Sequence, residues 1–200
     1  MESRTSLKVI SKSIMQAAER LLERYAAGER NFRDLDLFRA DLNGADLSGA
    51  SFFRANLFGA NLFRANLIGV TFYNATLIGA NLYCANLSGA DLSGANLTCA
   101  HCEGADLSGA DLTAADLGGV DFSHANLSYA NLTRSNLMRA SLVNAKLDHT
   151  NFTGADLKWA NLNDAQLSDT QVRSAQFAHA IGLTAEWQAR LKQEGAIISA

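Results

Sequence analysis

The sequence predicts an all-β solenoid of square coils, and three observations carry that prediction. From Arg30 to His179 the chain divides, without insertion, into thirty five-residue units such as ANLFG, ADLSG and ANLTR. The third residue of the unit is Leu in 22 cases and Phe in six, with Cys102 and Val172 in the other two, and the residue two before it is Ala in 23. The residue between them is Asp or Asn in 21 units. A repeat of five matches neither the helical period of 3.6 nor the strand period of 2. The two apolar positions both stay inside only if the chain turns a corner in every unit. Four corners close a coil of 20 residues, so the thirty units make about 7.5 coils. At the inter-strand spacing of about 4.8 Å the rod is on the order of 36 Å long.

The five positions of a unit are named here, in order, small slot, polar slot, centre, shoulder and corner. Residues 20 apart stack, which defines four faces. Face A carries the centres Phe32, Phe52, Phe72, Phe152 and Val172; face B runs from Leu37 to Phe177, face C from Leu42 to Leu162, and face D from Leu47 to Leu167. The Phe run on A predicts an internal aromatic stack. Each buried Leu or Phe contributes roughly 1.5–3 kcal/mol, mostly offset by chain entropy. Stability is expected to be nearest-neighbour and spread along the rod.

The pattern A(D/N)LXX resembles the pentapeptide repeat family, over 150 of the 200 residues. The resemblance implies a right-handed quadrilateral β-helix in which the centre and the small slot face inward and the other three positions outward. The uninterrupted repeats and the AIGLT junction before the last helix also look like the many bacterial, notably cyanobacterial, members of the family.

Two terminal segments flank the repeats, giving a division into residues 1–29, 30–179 and 180–200. In the first, Leu7, Ile10, Ile14, Ala17, Leu21 and Tyr25 fall at steps of three and four on one helical face, with Gly28 as a stop. Lys8, Lys12, Arg20 and Arg24 alternate with Glu19 and Glu23 on the other face, and that mixed charge favours a helix docked on its own protein over one lying on a membrane. Two seats are open to it, the end of the first coil or a side of the rod. At the C-terminus, Thr184 is an N-cap, Glu186 sits in the first turn, and Trp187 and Leu191 are four apart. This helix, with Trp187 inward, is expected to cap the last coil, because open strand edges are aggregation liabilities.

The pair Cys99 and Cys102, with His101 between, has the spacing of a redox or metal box. In the predicted register Cys102 takes a centre on face C, whereas Cys99 and Cys84 are outward corner residues at different corners. Their side chains diverge, and Cys102 acts as a small hydrophobe. His101 and Asp121 are successive on face C, with Glu103 and His124 nearby. On a convex, solvated face this reads as stacked polar side chains in contact with water and not as zinc ligation. No metal or cofactor is expected, and no cleft or nucleophile set points to an enzyme.

Composition bounds the function further. The chain is 48% hydrophobic and 18% charged with a net charge of −3, which excludes a basic nucleic-acid binder. No apolar run of 18 residues is present, and no unbroken apolar segment precedes a small-residue cleavage site. A cytoplasmic protein with reduced thiols is expected.

The outward residues carry the functional reading. Residues 65–133 hold Asp91, Glu103, Asp106, Asp111, Asp116 and Asp121 with no Lys or Arg, an acidic patch. The quinolone-resistance branch of the family resembles B-form DNA in size and charge and binds type II topoisomerases, so the resemblance makes a gyrase-directed DNA mimic the alternative function. A duplex carries one negative charge per roughly 1.7 Å, so a mimic of this length would need about twenty uncompensated acids, and this chain falls well short. The leading expectation is a non-enzymatic protein-binding scaffold or regulator, with a protein partner or a second copy of the chain bound on its outer faces. The shoulder column marks where. It reads Phe53, Phe58, Phe63, Ile68, Tyr73, Ile78 and Tyr83, then turns to Ser88, Ser93, Thr98, Glu103 and Ser108. Phe38, Phe58 and Ile78 stack on face B, Phe53 and Tyr73 on A, Phe63 and Tyr83 on C. A contiguous apolar belt of this kind marks a contact surface, although β-surfaces also favour aromatic ladders for their own sake. One helix about 10–12 Å across shields one face and not three. An N-terminal helix lying along the rod would therefore cover B and leave A and C for a partner.

Overall fold

The computed structural model describes residues 16–198. Residues 16–26 are helical and form α1, and Ala185–Gln193 form α2. Between them the chain winds in coils whose strands are single residues. Polar-slot residues pair in parallel with those 20 positions on, from Asn31 with Ser51 to Asn161 with Ile181. Four units therefore make one turn, and the four faces are those the register assigns.

Every unit from Ala50 to Trp159 is held by the same backbone bonds. The Leu57 N–H donates to the Thr76 carbonyl at 2.7 Å, that of Asn56 to Leu35 at 2.9 Å and that of Gly59 to Ile78 at 2.9 Å; the Ala60 N–H closes the corner on Leu57 at 3.0 Å. That last bond, with positive φ at the third residue of the turn, is the type II pattern. Positive φ occurs at all thirty corners, eleven of them Gly and nineteen not. Left-handed backbone costs a residue with a Cβ about 1–2 kcal/mol, and the ladder bonds on either side hold it there. The polar slot has its own reason. Its Asp or Asn oxygen accepts the shoulder N–H two residues on, as Asp36 does from Phe38 at 3.1 Å, making an Asx turn into the corner. Where Asn follows Asp one coil later, its amide also donates back, as Asn56 does to Asp36 at 2.8 Å.

The core is one continuous column, with every centre from Phe32 to Phe177 buried. Phe32, Phe52 and Phe72 stack with ring centroids 5.5 and 5.4 Å apart. Hydroxyls in the small slot are satisfied by carbonyls: Thr150 donates to Leu127 and Ser135 to Leu132, both at 2.8 Å.

The two ends differ. α1 packs on the open end of the first coil, with Ala18 and Leu21 buried. The Tyr25 hydroxyl donates to the Ser48 carbonyl at 2.9 Å. One coil later the equivalent carbonyl, that of Ile68, accepts from the corner N–H of Gly49 below it; the first coil has no coil below, and Tyr25 supplies the donor. The described part of the N-terminal helix therefore takes the coil end and not face B, where Phe38 and Phe58 remain 38% exposed. Leu7, Ile10 and Ile14 lie outside the described residues. At the other end, the Thr184 hydroxyl caps α2 by accepting the Trp187 N–H at 3.2 Å. Leu191 is fully buried, and Trp187, four residues before it, is partly buried against the same core. Gly182, at φ +90°, lets the backbone cross the last coil: a Cβ there would lie 2.3 Å from the Asn163 nitrogen. Beyond α2, Ile197 pairs with Gln176 and adds a bridge on face B, where the sequence predicted only a tail.

Candidate protein-contact surface

The shoulder residues emerge as outward ladders. Phe53 and Tyr73 stack on face A at 5.6 Å with their planes 9° apart, Phe63 and Tyr83 on C at 5.6 Å and 11°, and Phe38 and Phe58 on B at 5.6 Å and 16°. Ring separation follows from coil spacing and near-parallel planes from the shared register. Phe38, Phe58, Tyr73 and Tyr83 are exposed, as is Ile68 on face D; Phe53, Phe63 and Ile78 are half-buried. Arginines lie over the rings near the N-terminal end: Arg33 over Phe53 at 5.0 Å, Arg39 over Phe38 at 5.3 Å and Arg64 over Phe63 at 5.0 Å. Phe38 and the seven belt residues thus occupy four faces of neighbouring coils, with aromatic pairs on A, B and C.

On face C the ladder runs on into a carboxylate. A shallow groove of about 380 Å³ is lined by Phe63, Asn81, Tyr83, His101 and Glu103. The Glu103 Oε1 lies 3.6 Å from the His101 Nδ1. Its Oε2 is buried and has no hydrogen-bond partner, and no other side-chain nitrogen or oxygen among the described residues is in that position.

The acidic residues surround the rod and do not gather into one patch. Asp91 and Asp111 pair in successive coils of face A, Asp116 lies on B, Glu103 and Asp121 on C, and Asp106 on D. All six are half-buried. The five aspartates accept their own shoulder N–H groups at 2.9–3.2 Å. Much of their acceptor capacity therefore serves the turns.

Cys84 and Cys99 are exposed and Cys102 is buried, all three free. Burial, with Glu103 and Asp121 adding to it, pushes the Cys102 thiol far above its ordinary range. His101 and Asp121 pair in successive coils. Among the described residues no three His, Cys, Asp or Glu side chains gather as a metal ion requires.

Two outward aromatics escaped the sequence expectations because they sit at corners. Tyr129 stacks on His149 at 4.6 Å and Trp159 on His179 at 5.2 Å, with Arg139 5.9 Å from the Trp159 ring. Large side chains in a column that is Gly in eleven units were the available signal.

Pentapeptide repeats, in eight copies, match residues 31–67, 55–94, 85–113, 115–154 and 140–178. The chain belongs to the pentapeptide-repeat family. Members fold as right-handed quadrilateral β-helices and are in general structural or binding scaffolds. Three solved members illustrate the range. HetL, from the cyanobacterium Nostoc sp. strain PCC 7120 and involved in heterocyst differentiation regulation, is 31% identical over 81% of this chain and 91% of its own, with a TM-score of 0.29. Full-length QnrB1, a plasmid-mediated fluoroquinolone resistance protein, is 20% identical over 82% and 95%, with a TM-score of 0.45. Rfr23, from the cyanobacterium Cyanothece 51142, is 25% identical over 70% and 82%, with a TM-score of 0.23. No curated protein sequence matches the chain. No described helix is long and apolar enough to cross a membrane.

Proposed function

We propose that this pentapeptide-repeat chain is a non-enzymatic, cytoplasmic protein-binding scaffold or regulator whose contact surface lies on the aromatic ladders of faces A, B and C, face B being left open by the seat of α1. The observation that carries the reading is the stacking of Phe53 on Tyr73 and Phe63 on Tyr83 on adjoining coils, with Tyr73 and Tyr83 40% and 44% exposed. Stacked rings in a fixed register form a rigid amphipathic surface that loses little side-chain entropy on binding, which is why Tyr and Phe concentrate at interfaces. α1 and α2 serve in this reading as caps that keep the strand edges from pairing end to end. The occupant is a partner protein or a second copy of the chain, and the solution mass of the purified protein separates the two. Replacing Phe63 and Tyr83 together by Asp is expected to abolish the contact with nearly unchanged melting temperature. A variant that keeps both its partner and the self-association of the wild type would reduce the ladders to surface packing.

The alternative, a topoisomerase-directed DNA mimic, is favoured by one feature, the stacking of Asp91 and Asp111 on face A. Gyrase supercoiling assayed with the purified protein decides it: inhibition near stoichiometry supports the mimic, and indifference removes it.

A further inference from the structure

We infer that the groove on face C is a guanidinium subsite, which takes an arginine side chain presented by a protein partner. The inference rests on reading the ladders as a protein contact and gives that contact its chemistry. Four observations converge. Glu103 is the shoulder residue immediately above Tyr83, so a carboxylate continues the column of Phe63 and Tyr83. Its Oε2 has no donor, and a buried acceptor without one carries an uncompensated desolvation cost that a ligand can remove. No Lys or Arg occurs in residues 65–133, so a cation for this oxygen has to come from outside that segment. His101 reaches only Oε1, at 3.6 Å, beyond an ordinary hydrogen bond.

The rest of the groove selects guanidinium over ammonium. The Tyr83 ring, 44% exposed, offers a π-face, and a planar guanidinium stacks on aromatic rings while donating in a fork to a carboxylate. An ammonium is a compact, strongly hydrated charge that stacks poorly. The ladder already accepts such a group at its lower end, where Arg64 lies 5.0 Å from the Phe63 centroid. Torsion about the last bond of a glutamate is broad, so a partial turn brings Oε2 out toward the incoming donors. Asn81, lining the same groove, accepts the Tyr83 N–H at 3.1 Å and keeps the second lone pair of its amide oxygen for a remaining N–H.

The test uses the full chain and the capped peptide Gly-Arg-Gly, with its citrulline and lysine counterparts, followed by amide and aromatic NMR shifts. Saturable shifts at Tyr83, Asn81 and His101 with the arginine peptide are expected. Citrulline, isosteric but uncharged, is expected to bind about tenfold more weakly, since a charge-assisted pair is lost. Lysine is expected to fall between the two. Glu103→Gln should bring arginine down to the citrulline level, whereas Asp111→Asn, an acid of face A, should leave it unchanged. The inference is overturned by equal binding of citrulline, by equal loss in both variants, by undiminished binding to Glu103→Gln, or by no saturable shift at all. Because the peptide reads the subsite without any partner, these results dispose of the guanidinium assignment alone; loss or retention of the natural contact in the Phe63 and Tyr83 variant decides the protein-contact reading separately.

Discussion

The coils around residues 53–83 and those around residues 88–133 have the same interior and opposite exteriors. In both, the centres are buried Leu or Phe, save the buried Cys102 in the second, over Ala-rich small slots. In the first, shoulder rings stack on one another beside polar slots that bond along the column, as Asn81 does to Asn61 at 3.1 Å; polar slots of the second bond in the same way, as Asn126 does to Asp106 at 3.1 Å. In the second, four of the eight shoulder hydroxyls turn back on their own units: Ser93 donates to Asp91 at 2.5 Å, Thr98 to Asn96 at 2.7 Å, Thr113 to Asp111 at 2.6 Å and Thr133 to Asn131 at 2.6 Å. A hydroxyl so used is satisfied locally and offers little to a partner, whereas an aromatic ladder keeps apolar area available. In this fold the inner layer carries stability and the shoulder position is free to carry recognition.

The sharpest way to break that division is to probe inner and outer positions with one reagent. Cys84 belongs to the aromatic coils, Cys99 to the hydroxyl coils, and Cys102 to the core. Under native alkylation followed by mass spectrometry, Cys84 and Cys99 should react readily. Cys102 should be slower by at least about a thousandfold, because reaction requires unfolding and burial disfavours its thiolate. Early modification of Cys102 would refute the register itself. Next in size, Leu57→Ala and Leu97→Ala, both on face B with one in each region, should each cost about 2–5 kcal/mol in denaturant unfolding. Similar losses would confine the regional difference to the outer layer. A smaller effect is expected for Thr98→Ala, which should cost about 1 kcal/mol for one side-chain hydrogen bond without changing any binding.

The smallest effect is electrostatic. The Asp46 carboxyl is held below its ordinary range, first by the backbone N–H of Ser48 and then by the Ser48 side chain, with further help from Asn66 and Arg30. A depressed carboxyl contributes stability above its unfolded value and loses it as pH falls through the folded one. Melting curves taken into the acid range should therefore show a slightly weaker pH dependence in Asp46→Asn than in the wild type.

Much of this architecture was legible in the residues. A strict period of five with two apolar positions admits only a cornered coil, and the same register put Cys102 inside and Cys84 and Cys99 outside. The corners were less legible. Arg39, Arg139 and Trp159 adopt positive φ because ladder bonds overrule local preference. The trace of this in the sequence was the absence of Val, Ile and Thr from the corner column together with eleven glycines. The seat of α1 was open because an amphipathic stripe records that a face is covered and not by what. Tyr25 reaching Ser48 depends on a carbonyl unpaired only in the first coil. The bridge at Ile197 was hidden because one residue has no period. The register of 20 already put Glu103 above Tyr83, but that its Oε2 is buried without a donor could be seen only in the fold.

The central claim, that recognition lies in the aromatic shoulders and stability beneath them, is tested most directly by two matched charge pairs. Phe63→Asp with Tyr83→Asp changes the ladder on face C, and Ser88→Asp with Ser108→Asp makes the equivalent change on face D of the hydroxyl coils. Partner co-purification from the source organism and solution mass are measured for both, beside thermal melting. The account predicts that the first variant loses the contact, the second keeps it, and both melt within a few degrees of the wild type, as surface substitutions of this kind do. Retention in the first variant, or equal loss in both, would contradict it.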